Sequence, residues 1–583
     1  MSLNKLSVTT PVVRVSLTII ASFAAVVGAL MYTTAGAGAA ATTTSTLAPT
    51  PVHWQTAWTS PMDYFYANEA HQPILANNAT YRDIAQLAVG GQTIKLQLSN
   101  TWSLTPTTFG SVTVGVQQSG AAIVPGSIVP VTFHGLSSVT IAPDARVMSD
   151  PVAISVHAGE SLSVSLWVNG SPTVSLHNCC TGHVDSYGTL DGAGNQTSDS
   201  AATKFPFADF NMRWLSAIAV SDTSAKATVV ALGDSITEGF NNAGFGWPTP
   251  LQQRIAQLPP DQQVSVVDEG IAGNTVSVFP PYSSYAEVDG GLPGVSRVGP
   301  DALALPGVKD IILMLGTNDI WFGAGGENIN HPIPPYGSVA AIESAMSSII
   351  VRAHAHDVKV FGVTLLPRSS FIGGNGENRE TWTPSDQETL AAVNSWILSP
   401  RSGFDAGINL AAVMGNVYNG ACQPAAPFAP YFTIDNLHPN TAGQTAMANA
   451  IPTTLFGIPQ APQVDPSVAV TPTANCPGAK IAEHVLALSR ASATTSTTTT
   501  ASTTTTASTT TTAPRAHRGF ASTVRTLGTA VGAVLVALVA LVMLLRSARQ
   551  RRAIRRRRSR SAMRDYRGPG GSPPPEGFPR RRR

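Results

Sequence analysis

The chain has 583 residues, which is too many for one hydrophobic core, so two or more domains are expected. Charged residues make up 12% and hydrophobic residues 43%, a balance typical of a globular secreted body with membrane segments. The net charge of +2 hides an asymmetry, because residues 546–583 hold 15 Arg against one Asp and one Glu. The rest of the chain is therefore acidic, and the overall charge describes neither part.

The N-terminus has the layout of a secretory signal. Lys5 and Arg14 precede an uncharged apolar run at residues 15–31, and small residues such as 35–37 follow it. This order predicts a signal peptide over residues 1–39. An uncleaved membrane anchor is the alternative, since the apolar run is long.

Residues 50–222 carry the pattern of β-strands. Apolar and polar side chains alternate with a period of two in segments such as 94–98, 110–116 and 160–168, with Gly, Pro and Asn between them. That period indicates antiparallel sheets with one face exposed to water. We therefore expect an all-β sandwich or jelly-roll-like accessory domain here.

Four cysteines fit an oxidising compartment. Cys422 and Cys476 lie on either side of position 460, where the second expected domain (residues 225–460) ends, and they are candidates for a disulfide. Cys179 and Cys180 are adjacent within HNCCTGH, where a disulfide or a strained turn is favoured over a metal cluster.

Residues 225–460 alternate strands with helices. The apolar runs QVSVVDEG, VKDIILML and VKVFGVTLL read as strands, and SVAAIESAMSSIIVRAHAH reads as an amphipathic helix. Another helix, SDQETLAAVNSWIL, is expected to open with a capping box formed by Ser385 and Glu388. This alternation indicates a parallel sheet covered on both faces, and such sheets bind ligands beyond the carboxyl ends of their strands.

Four short stretches are expected to lie beyond strand ends. ALGDSITEGF places Ser235 directly after an apolar strand, where a serine is as readily a helix cap as a nucleophile. GIAGNTV supplies Gly273, LGTNDI supplies Asn318, and DNLHP supplies Asp435 and His438. Each of these, taken singly, also fits a turn or a cap.

Together the stretches supply the groups that acyl transfer needs. A serine needs a neutral imidazole to take its proton, and the imidazole needs a carboxylate to fix its tautomer. The developing oxyanion needs preorganised hydrogen-bond donors. The chain offers the three in the order Ser235, Asp435, His438, with Gly273 and Asn318 as sources of donors.

Two carboxylates close to these residues are expected to have a structural rather than a catalytic role. Asp234 lies beside the candidate nucleophile Ser235, and Asp319 lies beside the candidate donor Asn318. Both are expected to brace loops by accepting hydrogen bonds rather than to act as acids.

ALGDSITEGF, GIAGNTV, LGTNDI and DNLHP resemble, in order and spacing, the four sequence blocks of the SGNH hydrolases, also called GDSL esterases and lipases. The resemblance implies an α/β fold, a three-layer α/β/α flavodoxin-like sandwich. It implies that Ser235 is the nucleophile, His438 the base and Asp435 its orienting acid. The amides of Ser235 and Gly273 and the side chain of Asn318 would form the oxyanion hole. The strand-rich N-terminal region also resembles the accessory region of a bacterial subgroup.

The resemblance implies a serine esterase that hydrolyses acyl or acetyl esters and calls for no metal or organic cofactor. Acylated carbohydrates, lipids and small esters all fit as substrates. Two alternatives stay open. One is an acyltransferase on the same scaffold, in which another alcohol replaces water; the other is a surface binding or adhesion protein with a vestigial hydrolase domain.

The C-terminal segments indicate attachment to a membrane. Residues 461–526, with Cys476 and a Thr-rich tract, are expected to form an extended stalk. Residues 527–545 are apolar and uncharged, about 28 Å of helix, enough to cross a bilayer. The Arg-rich tail at 546–583 is then expected in the cytoplasm, with anionic lipid rather than nucleic acid as its partner. The sequence thus predicts a single-pass protein of the cell membrane whose catalytic domain is extracytoplasmic.

Overall fold

A computed structural model describes residues 52–63, 74–178, 185–240, 245–277, 290–323, 337–373, 376–418, 421–427 and 429–465. The predicted signal peptide, nearly all of the stalk, the apolar segment 527–545 and the Arg-rich tail lie outside these residues. So do Cys179, Cys180 and Cys476, and the side chain of Cys422 is not described. Within the described ranges, no helix combines the length and the apolarity needed to cross a membrane.

The N-terminal part of the described chain is built from antiparallel strands. They are β1 Trp54–Thr59, β2 Ala79–Gln86, β3 Thr93–Ser99, β4 Thr107–Ser119, β5 Ala122–Ile123, β6 Val129–Pro130, β7 Val139–Ile141, β8 Arg146–Met148, β9 Ser161–Val168, β10 Leu176–Asn178, β11 Ser186–Gly188, β12 Phe207–Asp209, β13 Asn211–Arg213 and β14 Leu215–Ser221. One sheet has the order β1-β14-β3-β8, and a larger one has the order β12-β11-β2-β9-β4-β5. Leu96 and Val220 of the first sheet and Val164 and Leu166 of the second meet in one buried apolar cluster. The predicted β-rich N-terminal region is confirmed.

The expectation that one sheet face is exposed to water is wrong for β9. Ser163 and Ser165, on the face opposite the core, are fully buried. Arg82 covers that face, because its guanidinium donates to Ser165 Oγ at 2.9 Å and to the carbonyl of Asp199 at 2.5 Å. The same guanidinium lies 3.8 Å from the centre of the Phe205 ring, so the segment around residues 199–205 shields the serines from solvent.

The C-terminal part alternates strands and helices. Its strands are β15 Thr228–Asp234, β16 Ser265–Ile271, β17 Val308–Met314, β18 Lys359–Val363, β19 Phe371–Ile372, β20 Asn378–Glu380, β21 Ala406–Ile408, β22 Gly415–Tyr418 and β23 Ala421–Pro427. Its helices are α1 Ser235–Glu238, α2 Pro248–Ile255, α3 Gly294–Val298, α4 Thr317–Gly323, α5 Val339–His354, α6 Pro384–Ile397, α7 Leu410–Met414 and α8 Thr441–Ala450. Five parallel strands form a sheet in the order β16-β15-β17-β18-β21. This is the flavodoxin-like strand order, and its switch point lies at β15, where ligands of such sheets bind.

Helices cover both faces of this sheet. Val229 and Ala231 of β15 belong to a buried cluster that includes side chains of α2 and α8. Val230 and Leu232 belong to another cluster, which includes side chains of α5 and α6. Successive residues of one strand thus enter different cores, as the three-layer arrangement requires. The predicted α/β fold is confirmed.

The cap of α6 differs from the prediction. Thr383, not Ser385, is the N-cap residue, and it forms a capping box with Asp386 rather than with Glu388. The helix begins at Pro384, whose fixed φ suits the first helical position, and this places Ser385 inside the first turn.

Strand β1 joins the two parts of the described chain. The Thr56 amide donates to Thr228 Oγ1 and to the Pro306 carbonyl, both at 3.0 Å, and Ser265 Oγ donates to the Thr56 carbonyl at 2.6 Å. Strand β14 ends at Ser221 and β15 begins at Thr228. The division into domains at 50–222 and 225–460 stays a prediction, because β1 bonds to both parts.

Candidate active site

Ser235 lies at the carboxyl end of the central strand. Strand β15 ends at Asp234 and α1 begins at Ser235 without an intervening loop. Asp234 is the N-cap, and its Oδ1 accepts from the amide of Ile236 at 3.0 Å. Ser235 is therefore the first helical residue rather than the cap, and its hydroxyl is used elsewhere.

His438 bonds to that hydroxyl. Its Nε2 lies 2.9 Å from Ser235 Oγ, and its Nδ1 lies 2.8 Å from Asp435 Oδ2. All three residues are buried, with exposed fractions of 6% for Ser235, 4% for Asp435 and 5% for His438. The structure thus brings together a serine, an imidazole and a carboxylate in one hydrogen-bonded row, as triad chemistry requires.

Asp435 is held as a carboxylate. Its Oδ1 accepts from the backbone amides of Leu437 and His438, both at 2.9 Å. Burial acts to raise the pKa of Asp435, but the hydrogen bonds and the charge of His438 outweigh it and hold this pKa well below its usual range. Because an ionised carboxylate can only accept, Nδ1 of His438 carries the proton, and Nε2 is left to accept from Ser235.

The expectation that Asp435 and His438 follow a strand of the parallel sheet is wrong. They lie in the connection between the 3-10 helix Ala429–Tyr431 and α8. After β21, the last strand of that sheet, the chain adds α7 and the hairpin β22–β23 before it returns. The turn is closed by the Thr433 amide, which donates to the His438 carbonyl at 2.8 Å.

Two aromatic side chains flank the imidazole. The ring of Phe240 lies 4.5 Å from that of His438, and the ring of Phe371 lies 5.9 Å from it, nearly perpendicular. Such packing orients the imidazole and excludes water from its faces. Neither Phe240 nor Phe371 was predicted from the sequence. Phe240 ends the ALGDSITEGF stretch, which is a usable signal, whereas Phe371 has no local one.

The candidate oxyanion donors come from the ends of the two strands beside β15. Gly273 follows β16 with a φ of 74°, a conformation that strains other residues. Asn318 is a buried residue of α4, four positions after the last residue of β17, and its side-chain amide donates to the Asn274 carbonyl at 2.9 Å. That bond uses one of the two N–H groups of the amide and fixes its orientation.

Asp319 braces the loop after β16, as expected from the sequence. It accepts from the amides of Val276 at 2.8 Å and Ser277 at 2.9 Å. Burial raises the pKa of Asp319 to about 6, although these hydrogen bonds act against that rise. Asp319 therefore supports the loop and does not contact the row formed by Ser235 and His438 within the described ranges.

No metal site is apparent in the part of the chain that the structure describes, since no group of three or more His, Cys, Asp or Glu residues is arranged to hold an ion there. His177 of the HNCCTGH stretch lies in β10, but the two cysteines of that stretch fall outside the described ranges.

A serine bonded to a buried His–Asp pair at the switch point of a doubly wound sheet is the arrangement of a serine hydrolase. Residues 231–446 match the model of the GDSL-like Lipase/Acylhydrolase family. The resemblance found in the sequence is confirmed, and the chain is a hydrolase acting on ester bonds.

Several solved structures are similar to parts of this chain. A putative acylhydrolase from Bacteroides fragilis is 21% identical, with 38% of this chain and 83% of that chain covered and a TM-score of 0.26. A GDSL-like lipase from Bacteroides thetaiotaomicron is 17% identical, with 46% and 89% covered and a TM-score of 0.25. An acetylxylan esterase from Geobacillus stearothermophilus is 18% identical, with 38% and 91% covered and a TM-score of 0.26. No curated protein matches the sequence.

Proposed function

We propose that this protein hydrolyses carboxylic esters through an acyl-enzyme on Ser235. The observation that carries the proposal is the 2.9 Å contact between His438 Nε2 and Ser235 Oγ, with Asp435 held against the far side of the imidazole at 2.8 Å. A serine hydroxyl is a weak nucleophile unless a neutral base lies within hydrogen-bond reach, and this geometry supplies one.

The reaction then has two steps. In the first, Ser235 Oγ attacks the ester carbonyl carbon while His438 Nε2 takes the hydroxyl proton. The tetrahedral intermediate collapses, and His438 returns that proton to the departing alcohol. In the second, His438 takes a proton from water, the hydroxide attacks the acyl carbon, and the acid leaves as Ser235 recovers its proton.

Charge on the carbonyl oxygen is stabilised by donors from three places. We assign them to the backbone amides of Ser235 and Gly273 and to the side-chain amide of Asn318. These groups follow three adjacent strands, β15, β16 and β17, and their positions are set by the sheet before substrate arrives. Preorganised donors of this kind are usually the largest single contribution to catalysis.

The substrate is proposed at the level of its class, an acyl or acetyl ester of a carbohydrate, a lipid or a small alcohol. The loops at 279–292 and 321–336, expected to shape the acyl and alcohol pockets, lie mostly outside the described residues. A series of p-nitrophenyl esters from acetate to palmitate, followed by acetylated oligosaccharides, would order these classes.

The test of the chemistry uses the purified full-length protein and p-nitrophenyl acetate. Wild-type protein should release nitrophenol catalytically, and Ser235→Ala should not. Ser402→Ala is a matched control, because Ser402 is a buried serine whose hydroxyl donates to the Ser399 carbonyl at 2.9 Å, remote in sequence from Ser235. Equal activity of wild type and Ser235→Ala would refute the proposal, and esters formed with an added alcohol would indicate acyl transfer instead.

We also propose that the catalytic domain is held at the outer face of the cell membrane. The sequence supports this through the apolar segment 527–545 and the Arg-rich residues that follow it. In intact cells, an added protease should remove an epitope placed at the mature N-terminus and should spare one placed at the C-terminus. Protection of the N-terminal epitope would contradict the orientation.

A further inference from the structure

Arg297 is hydrogen-bonded close to both the nucleophile Ser235 and the candidate oxyanion residue Gly273. It belongs to α3 and its side chain is only 1% exposed. Its Nη2 donates to the carbonyls of Gly233 at 2.8 Å and Glu269 at 2.9 Å, near the ends of β15 and β16. Its Nε donates to the side-chain oxygen of Asn274 at 3.0 Å. One guanidinium therefore ties together two strand ends and the residue after Gly273.

Asn274 connects Arg297 to the candidate oxyanion donor Asn318. Its backbone carbonyl accepts from the side-chain amide of Asn318 at 2.9 Å. Its own side-chain amide donates to the Leu292 carbonyl at 2.8 Å. A single residue, Asn274, therefore links Arg297 to Asn318 through one hydrogen bond to each.

The charge of Arg297 is balanced by Asp301. Nη1 of Arg297 lies 3.5 Å from Asp301 Oδ2, one turn along the chain, and Asp301 is itself buried. Glu269 is the other nearby carboxyl, with its Oε2 at 4.0 Å from Nη1. Burial, together with repulsion from Asp301, raises the pKa of Glu269 well above its usual range. Asp301 is also the nearer of the two carboxyls to Nη1 of Arg297.

Asp301 is held in turn by the β-rich part of the chain. Arg146, at the start of β8, forms an ion pair with Asp301 through Nη2. Its Nη1 donates to the Pro300 carbonyl at 2.9 Å. The Arg146 side chain is 18% exposed, whereas that of Asp301 is 4% exposed, so the ion pair connects a partly exposed residue to a buried one.

We propose that the β-rich domain contributes to catalysis, because Arg146 positions the oxyanion donor Asn318 through Asp301, Arg297 and Asn274. Arg146, Asp301 and Arg297 are positioning residues, and none of them needs to touch substrate. A buried network of this kind is rigid when every member is satisfied, and removal of Arg146 leaves Arg297 as the remaining ion-pair partner of Asp301, so the guanidinium of Arg297 can shift towards it. The inference rests on the proposed function, since it takes Asn318 as an oxyanion donor.

The test compares two arginine variants in the full-length protein. Arg146→Gln should lower kcat for p-nitrophenyl acetate about tenfold and leave KM within about twofold, because the donor acts on the transition state. Arg213→Gln is the matched control, since Arg213 is also a half-buried β-domain arginine in an ion pair, with Asp209. It should retain wild-type kcat. Equal kcat losses in the two variants, or a loss confined to KM, would overturn the proposal.

A double-mutant cycle with Asn318→Ala separates positioning from general destabilisation. Asn318→Ala alone should lower kcat by about 10²- to 10³-fold. In that background Arg146→Gln should lower kcat less than about twofold, because the donor it positions is gone. A full tenfold loss in the Asn318→Ala background would show that Arg146 acts by another route.

The failures of the two proposals can be told apart. If Ser235→Ala or Asn318→Ala keeps wild-type kcat, the proposed chemistry fails. If both lose activity while Arg146→Gln keeps wild-type kcat, the chemistry stands and the coupling to the β-rich domain fails.

Discussion

Replacing Asp435 by Asn tests the state of the imidazole. In the native site Oδ1 accepts two backbone amides at 2.9 Å, and Oδ2 accepts from His438 Nδ1 at 2.8 Å. The amide oxygen of an asparagine must take the place of Oδ1, since only an acceptor fits there. Its NH₂ group then faces Nδ1 and donates to it.

The consequence is the wrong tautomer of His438. With Nδ1 as an acceptor, the neutral ring carries its proton on Nε2, which then cannot take the proton of Ser235. We expect kcat to fall by about 10³- to 10⁴-fold, equivalent to about 4–5.5 kcal/mol of transition-state stabilisation. The assay is p-nitrophenyl acetate hydrolysis at saturating substrate, with near-ultraviolet circular dichroism to check the fold.

A second His–Asp pair provides the control. His354 Nε2 lies 2.9 Å from Asp405 Oδ2 near the surface, a bond of nearly the same length as that of His438 to Asp435. Asp405→Asn should leave kcat unchanged. If Asp435→Asn retained more than about a tenth of the wild-type kcat, Asp435 would not be the group that fixes the tautomer.

Three further predictions concern stability. Burial raises the pKa of Asp234 to about 7. The carboxyl is therefore neutral in the folded protein near pH 4, and the folded state loses stability as pH rises through 7 and the buried group becomes charged. Calorimetry should therefore show Asp234→Asn raising Tm at pH 8 but not at pH 4; equal shifts at both pH values would contradict this. Gly273→Ala should cost about 1–2 kcal/mol of unfolding free energy in urea titrations, because φ is 74° there, and an unchanged midpoint would refute the strain. Thr383→Ala should cost about 1 kcal/mol in the same titration, whereas Ser385→Ala should cost little, and the reverse order would restore the cap expected from sequence.

Much of the catalytic domain could be predicted from local sequence. Apolar runs that alternate with amphipathic ones predict a parallel sheet, and a polar residue that closely follows such a run is expected at the sheet's carboxyl edge. Ser235 and Asn318 follow this rule. The two therefore lie at one edge of the sheet, although 83 positions separate them in the sequence.

The remaining features depend on contacts between distant segments. The turn of Asp435 and His438 follows the hairpin β22–β23 rather than a strand of the parallel sheet. No local sequence pattern predicts that the chain returns to Ser235 at this point. The outer face of β9 is dry because Arg82 reaches across it, although its serines alternate as exposed residues do. Arg146 meets Asp301 across 155 positions of sequence. Periodicity separates the apolar face of a strand from its polar face, but it does not report which distant segments cover either face.

The most direct test of the account is covalent labelling by an ethyl p-nitrophenyl phosphonate. The phosphonate carries the tetrahedral geometry of the intermediate and bonds only to an activated nucleophile. Wild-type protein should gain one phosphonyl group, and tandem mass spectrometry should place it on Ser235; His438→Ala should stay unlabelled over the same time. Labelling at another residue, or equal labelling of the two proteins, would contradict the assignment of Ser235 and His438 as nucleophile and base.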